Sequence, residues 1–241
     1  GYGLEAWNLE SRNRVDVQGA FVDPAVAALA PDCPVLVVAA KNLAKGWNTS
    51  GTDLGDAKTI ESPPGQASAI TFSVDGSRLA SGRDDGSIAI WETSCDPASF
   101  VLRAQLQIDG VGAAAARLSF SPDGRYVVSG HDDGSVALWD IEVEEPIGVL
   151  GRLHGAVTGV QWIGVDTIVA VAEPGAVVSF STDPRRWAER ACLIAGRELT
   201  AFEARRFLRS ESSQNCPNTT TTADVGDFEV WLRQRWNEIT G

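Results

Sequence analysis

Ser129, His131 and Asp132 lie within four positions of one another, and they are the residue types of a hydrolytic triad. A serine activated by histidine, with an acid orienting the imidazole, attacks ester or amide carbonyls. The local pattern argues against that chemistry. Neighbouring residues on a strand alternate faces and cannot assemble the geometry as a run. A related earlier segment carries Arg83 where His131 stands, and His154 is the other of only two histidines. General acid–base work would otherwise fall to carboxylates, and no pair stands out among the many turn acids. The Asp-Asp-Gly turns at 84–86 and 132–134 lack the alternately spaced ligands of a calcium loop. Cysteines 33, 95, 192 and 216 contain no Cys-x-x-Cys, so zinc and thioredoxin-like readings have no support. The expectation is scattered reduced thiols, with Cys192–Cys216 the one bridge worth testing, because both fall in the short C-terminal region. The glycine-alanine run at 112–116 lacks the Lys-Ser/Thr of a phosphate loop. No catalytic residue, metal or cofactor is expected.

The elements carrying these residues are repeated. Ser68–Glu92 and Ala116–Asp140 are identical at 12 of 25 positions, at an offset of 48. Each copy holds three runs that alternate apolar or small residues with polar ones, separated by Asp-Gly turns. In the second copy the runs are 116–121, 125–130 and 135–140, and a fourth follows at 146–152. Weaker copies extend over 27–48 and 157–182, and residues 2–9 read as the last inner strand of another unit. The aromatic ends Trp7, Trp47, Trp91, Trp139 and Phe180 are spaced by 40, 44, 48 and 41 residues. Four antiparallel strands recurring at this period predict radially arranged blades, each burying its faces against its neighbours.

FSVDGSRLASGRDDGSIAIWE and FSPDGRYVVSGHDDGSVALWD resemble blades of WD-repeat β-propellers. The similarity covers residues 1–182, strongly in two blades, and the Trp-Asp ending itself occurs once, at Trp139-Asp140. The resemblance implies an all-β fold, a partial propeller of about four blades: the end of one blade, three four-stranded blades and a last blade with three strands. A seven-bladed ring would need about two and a half more. The chain has no methionine and starts Gly1-Tyr2-Gly3, so the earlier part of the ring is expected to precede it.

The resemblance also implies a buried network in each clear blade, joining a strand serine, a turn aspartate and the blade tryptophan. By position these are Ser81, Asp85 and Trp91, then Ser129, Asp133 and Trp139. Indole N–H and hydroxyl groups inside a blade need such partners. The family's fourth member, a histidine in the loop before the first strand, is missing from both blades. His154 holds roughly that place in the last blade, where Pro174 and Phe180 replace the aspartate and tryptophan.

Residues 183–208 read as two helices. Asp183-Pro184 opens the first and Gly196 closes it, and Thr200–Glu203 is a capping box for the second. Residues 209–223 read as a Ser/Thr/Asn-rich flexible linker. Residues 224–241 form an amphipathic helix with Phe228, Trp231, Leu232, Trp236 and Ile239 on one stripe. The segment WAERACLIAGRELTAFEARRFL resembles the helical tail that follows propellers in large multidomain bacterial proteins. Those proteins often carry an NTPase, kinase or protease module at the other end.

The net charge of −12 disfavours nucleic acid and anionic membrane surfaces as partners. The resulting expectation is a cytoplasmic, non-catalytic module that binds proteins through propeller loops or the C-terminal helix. It would be the sensing or scaffolding part of a bacterial signalling protein. The rivals are a propeller hydrolase acting from the central channel and a small-ligand receptor.

Overall fold

A computed structural model describes residues 26–183 apart from 42, 52, 53 and 55, together with residue 186 and the backbone of 6–8 and 13–15. The helices expected over 183–208, the linker, the 224–241 helix and the Cys192–Cys216 pair lie outside the described residues. Among the described residues no helix is long and apolar enough to cross a membrane.

The fold is a succession of antiparallel meanders. β1 (Ala6–Asn8) pairs with β2 (Asn13–Val15), which sets Trp7 opposite Arg14. The next sheet holds β3 (Val26–Leu29), β4 (Val35–Ala40), β5 (Leu43–Asn48) and the short β6 (Lys58–Ile60). The first clear repeat forms β7 (Ala67–Phe72), β8 (Arg78–Arg83), β9 (Ile88–Glu92) and β10 (Val101–Leu106). The second forms β11 (Ala115–Phe120), β12 (Tyr126–His131), β13 (Ser135–Asp140) and β14 (Glu145–Arg152). A three-stranded sheet follows: β15 (Val157–Ile163), β16 (Thr167–Ala172) and β17 (Ala176–Ser181). The first strands of successive sheets lie side by side, β3 against β7, β7 against β11 and β11 against β15. Sheets that share an inner line of strands in this way are blades of a partial β-propeller.

The core lies in the seams between blades. Val35, Val37 and Ile60 of one blade meet Phe72, Leu79 and Trp91 of the next. Ile88 and Ile90 then meet Val127, Ala137 and Trp139. Val128, Val136 and Leu138 meet Val160, Trp162 and Ile168. A central blade is therefore covered on both faces, and every residue of β13 is buried. That explains why Val136-Ala137-Leu138-Trp139 reads as a continuous apolar run rather than a strict alternation.

The Ser-Gly pair in each repeat marks a close approach of neighbouring blades. A Cβ on Gly82 would collide with the Ala115 carbonyl oxygen, and one on Gly130 with Val157. Both glycines face the first strand of the next blade, so the seam closes only where the side chain is hydrogen.

One expectation is corrected here. Cys33 and Cys95, read as reduced thiols, form a disulfide with their Cα atoms 5.3 Å apart. Cys33 sits in the β3–β4 turn and Cys95 in the β9–β10 connection, so adjacent blades bring them together across a sequence separation of 62. Closing a loop of that length restricts the unfolded chain by about 4 kcal/mol in the entropic account.

Gly82→Ala places its methyl against backbone, which no rotamer can relieve. It should destabilise the protein by about 3 kcal/mol in urea unfolding, at the upper end of ordinary overpacking. Gly112, with open space around it, should tolerate the same change within about 0.5 kcal/mol.

Candidate functional site

The residues singled out from the sequence fall at two equivalent places, where the turn between the second and third strands of a blade meets the loop entering that blade. In the β11–β14 blade, Ser129 and His131 are two apart on β12 and so share a face. Trp139 on β13 reaches the same space, and all three are fully buried. The indole Nε1–H of Trp139 donates to Ser129 Oγ at 2.8 Å. Ser129 Oγ lies 2.8 Å from His131 Nε2, and His131 Nδ1 lies 3.0 Å from the Ala113 carbonyl oxygen. A carbonyl only accepts, so Nδ1 carries the proton and Nε2 accepts from the serine hydroxyl. The hydrogen bonds run in one direction, from the indole through hydroxyl and imidazole to the backbone of the entering loop. Burial pushes the His131 pKa below its usual 6.5, against the pull of the Ala113 carbonyl and of Asp133 and Asp132, so the neutral ring is favoured.

Asp133 does not join that chain of bonds. Its Oδ1 accepts from the Ser135 amide at 3.0 Å and the Ser135 hydroxyl at 2.5 Å, and Oδ2 lies 3.2 Å from Arg152 Nη2. Burial alone would raise its pKa. The two Ser135 hydrogen bonds and the Arg152 charge outweigh that and hold it below the ordinary carboxylate value. The aspartate stabilises the Asp-Asp-Gly turn, which Gly134 completes at φ 85°. The expected Ser129–Asp133–Trp139 network is thus corrected. Serine and tryptophan meet, and the third partner is His131, because the turn aspartate is engaged two residues ahead.

The β7–β10 blade departs further from expectation. Asp85 accepts from the Ser87 amide at 2.9 Å and hydroxyl at 2.6 Å, as Asp133 does from Ser135. Trp91 Nε1 donates to the Glu61 carbonyl oxygen at 2.9 Å rather than to a serine. Ser81 Oγ makes one weak contact with the Gly82 carbonyl oxygen at 3.4 Å. Ser81, Asp85 and Trp91 therefore do not form a shared network. Arg83 replaces His131 at the end of the strand, and its Nη2 donates to the Pro63 carbonyl oxygen at 2.7 Å and to that of Pro64. The two blades solve one problem with different side chains. A long polar group at the end of the second strand holds the loop entering the blade by its carbonyls. The signal for this in the sequence is a shared column, Arg83 and His131, two residues after a serine.

The Ser129–His131 pair has the contact of an activated nucleophile, yet the arrangement cannot perform acyl transfer. Ser129 is fully buried, the imidazole Nδ1 faces a carbonyl rather than a carboxylate, and Asp132 is exposed. A substrate carbonyl has no route to the hydroxyl. His154 is also exposed, in the loop before β15. Among the described residues, no group of three or more His, Cys, Asp or Glu could hold a metal ion.

The WD domain, G-beta repeat family matches residues 57–92 and 109–140. These two segments hold the first three strands of each of the two blades just described, β7–β9 and β11–β13. Among solved structures, the crystal structure of the computationally designed Ika4 protein is similar with a TM-score of 0.54 and 22% identity, covering 69% of this chain and 96% of that one. That likeness concerns the fold alone. No curated protein matches the chain. The two matched segments are similar to WD repeats, and they lie within the partial β-propeller described above.

Two measurements probe the buried relay. Ser129→Ala strands both the Trp139 N–H and the His131 acceptor and should cost about 2–3 kcal/mol, while Ser81→Ala should cost under about 1 kcal/mol because Ser81 has little to lose. Equal losses at the two sites would remove the distinction. The second is pH dependence. His131 binds a proton less readily folded than unfolded, so its contribution is fully present above the unfolded value of about 6.5 and declines as pH falls through that value. Unfolding free energy should drop from about pH 7 to about pH 5.5, and the slope should flatten in His131→Gln.

Proposed function

We propose that this region is a non-catalytic scaffold for protein–protein interaction. The observation that supports it most is the contrast between strands and connections. The two clear repeats are alike along their strands, and their chemistry-bearing side chains point inward to hold the blade together. The connections differ in length and composition. The loop entering the first repeat is Glu61-Ser62-Pro63-Pro64-Gly65-Gln66, and that entering the second spans 107–114 and includes Gly110, Val111 and Gly112. A rigid frame that presents dissimilar loops suits recognition, and function on such a frame resides in the loops.

The finer reading is the C-terminal sensing or scaffolding module of a larger bacterial signalling protein with an NTPase, kinase or protease module, working in the cytoplasm. It is supported by the WD repeats and by the tail segment at 187–208. The partner is a protein rather than nucleic acid or membrane, in keeping with a net charge of −12.

Cross-linking with mass-spectrometric identification, performed on the chain and on a variant whose 107–114 loop is replaced by Gly/Ser of equal length, tests the reading. The expected result is a partner lost from the variant while its melting curve stays within a few degrees. Turnover of ester, peptide or phosphoester substrates by the purified chain, with cross-links unchanged by the loop replacement, would overturn it.

A further inference from the structure

We propose that Cys33 and Cys95 form a reversible thiol–disulfide site that fastens one blade to the next, and that it exchanges with neutral or cationic low-mass thiols in preference to anionic ones. The bridge joins the turn at 30–34 to the connection at 93–100, so neither sulfur belongs to a strand. The two sheets it links already have complete antiparallel ladders and a shared apolar seam. Opening the bridge leaves both blades assembled and releases only the loops.

Three observations support exchange rather than permanent closure. Cys95 is exposed and Cys33 half-buried, so a thiolate in solution can reach the Cys95 sulfur. Asp32 and Cys95 both hold left-handed backbone, at φ 54° and 61°, which costs a residue bearing a side chain and concentrates in segments with two conformations. Release of the bridge lets Cys95 leave that region. The connection is also knit within itself. Thr93 Oγ1 and Ser99 Oγ lie 3.0 Å apart, the Ser94 amide donates to Ser99 Oγ at 2.9 Å and the Ala98 amide to Asp96 Oδ1 at 2.9 Å. Such a loop shifts as a unit.

The charge preference follows from the neighbours. Asp32 precedes Cys33 and Asp96 follows Cys95. Asp75 adjoins Gly76, where an added Cβ would lie 2.9 Å from Cys33 Sγ. Three carboxylates on these turns repel an anionic attacker and attract a cationic one. In the exchange, an incoming thiolate forms a bond to Cys95 Sγ and breaks the Cys33–Cys95 bond. Cys33 leaves as thiolate and takes a proton from water. A second thiolate then attacks the low-mass sulfur of the mixed disulfide and frees Cys95. Two low-mass thiols are oxidised to their disulfide while the protein bridge is reduced, and the reverse sequence closes it.

Native wild-type protein treated with cysteamine or with glutathione, quenched by alkylation and mapped by mass spectrometry, provides the test. The expected result is opening under native conditions, faster with cysteamine by on the order of tenfold at low ionic strength. That ratio should shrink in high salt and in Asp32→Asn/Asp96→Asn. Hydrogen exchange of the reduced, alkylated protein should quicken at 32–33 and 94–98 while the amides of β4, β8 and β9 stay protected. A bridge that resists both thiols until the chain unfolds overturns the proposal. So do equal rates at low salt, loss of protection across the strands, or free thiols at both positions after cystamine treatment.

Discussion

Burial of each sheet by its neighbours is the constraint on which the whole arrangement rests. A four-stranded meander of this size has two apolar faces and no interior of its own. Trp91 shares its cluster with Val35, Val37 and Ile60 from across the seam, and Trp139 with Ile88 and Ile90. The glycines at the seam follow from the same need. Gly82 and Gly130 let the next inner strand approach within van der Waals contact of a backbone. Close packing at that line leaves polar groups near the blade edge without water, so a partner inside the protein is worth having, although the Trp47 and Trp162 indole N–H groups find none among the described residues.

The buried relay is the local answer to that demand, and it explains why triad-like residues here do no chemistry. Ser129 sits between an indole donor and an imidazole acceptor, so its oxygen already accepts one hydrogen bond and its proton is committed to Nε2. A nucleophile needs an open approach and a substrate pocket. This serine has neither, and its bonds join β12, β13 and the entering loop. The turn carboxylates are occupied in the same sense. Asp85 and Asp133 draw the hydroxyl and amide two residues ahead into the turn, which is why each Asp-Asp-Gly is followed by serine.

Most of the frame was legible in the sequence. Regular indole spacing, the Asp-Gly turns and the alternating runs placed the strands of the second repeat within a residue or two of their observed bounds, including the shortened final sheet. What escaped reading was whatever depended on partners outside the repeat. The acceptor of Trp91 is the backbone carbonyl of Glu61, in a loop that carries no side-chain signal for it. The union of Cys33 with Cys95 depends on two loops from different blades emerging side by side, which no spacing rule along one chain encodes. The role of His131 was half visible. Its separation of two from Ser129 fixed a shared face, but the family pattern drew attention to a histidine position in another loop.

The pair Arg83 and His131 carries one more implication. Two blades so alike along their strands could in principle accept each other's incoming loops during folding, since apolar seams distinguish partners poorly. The guanidinium reaches the successive carbonyls of Pro63 and Pro64, whereas the shorter imidazole stops at a single carbonyl, that of Ala113. Each blade thus admits a loop of one shape. A difference of one residue in an otherwise repeated column matches each blade to an entering loop of different length.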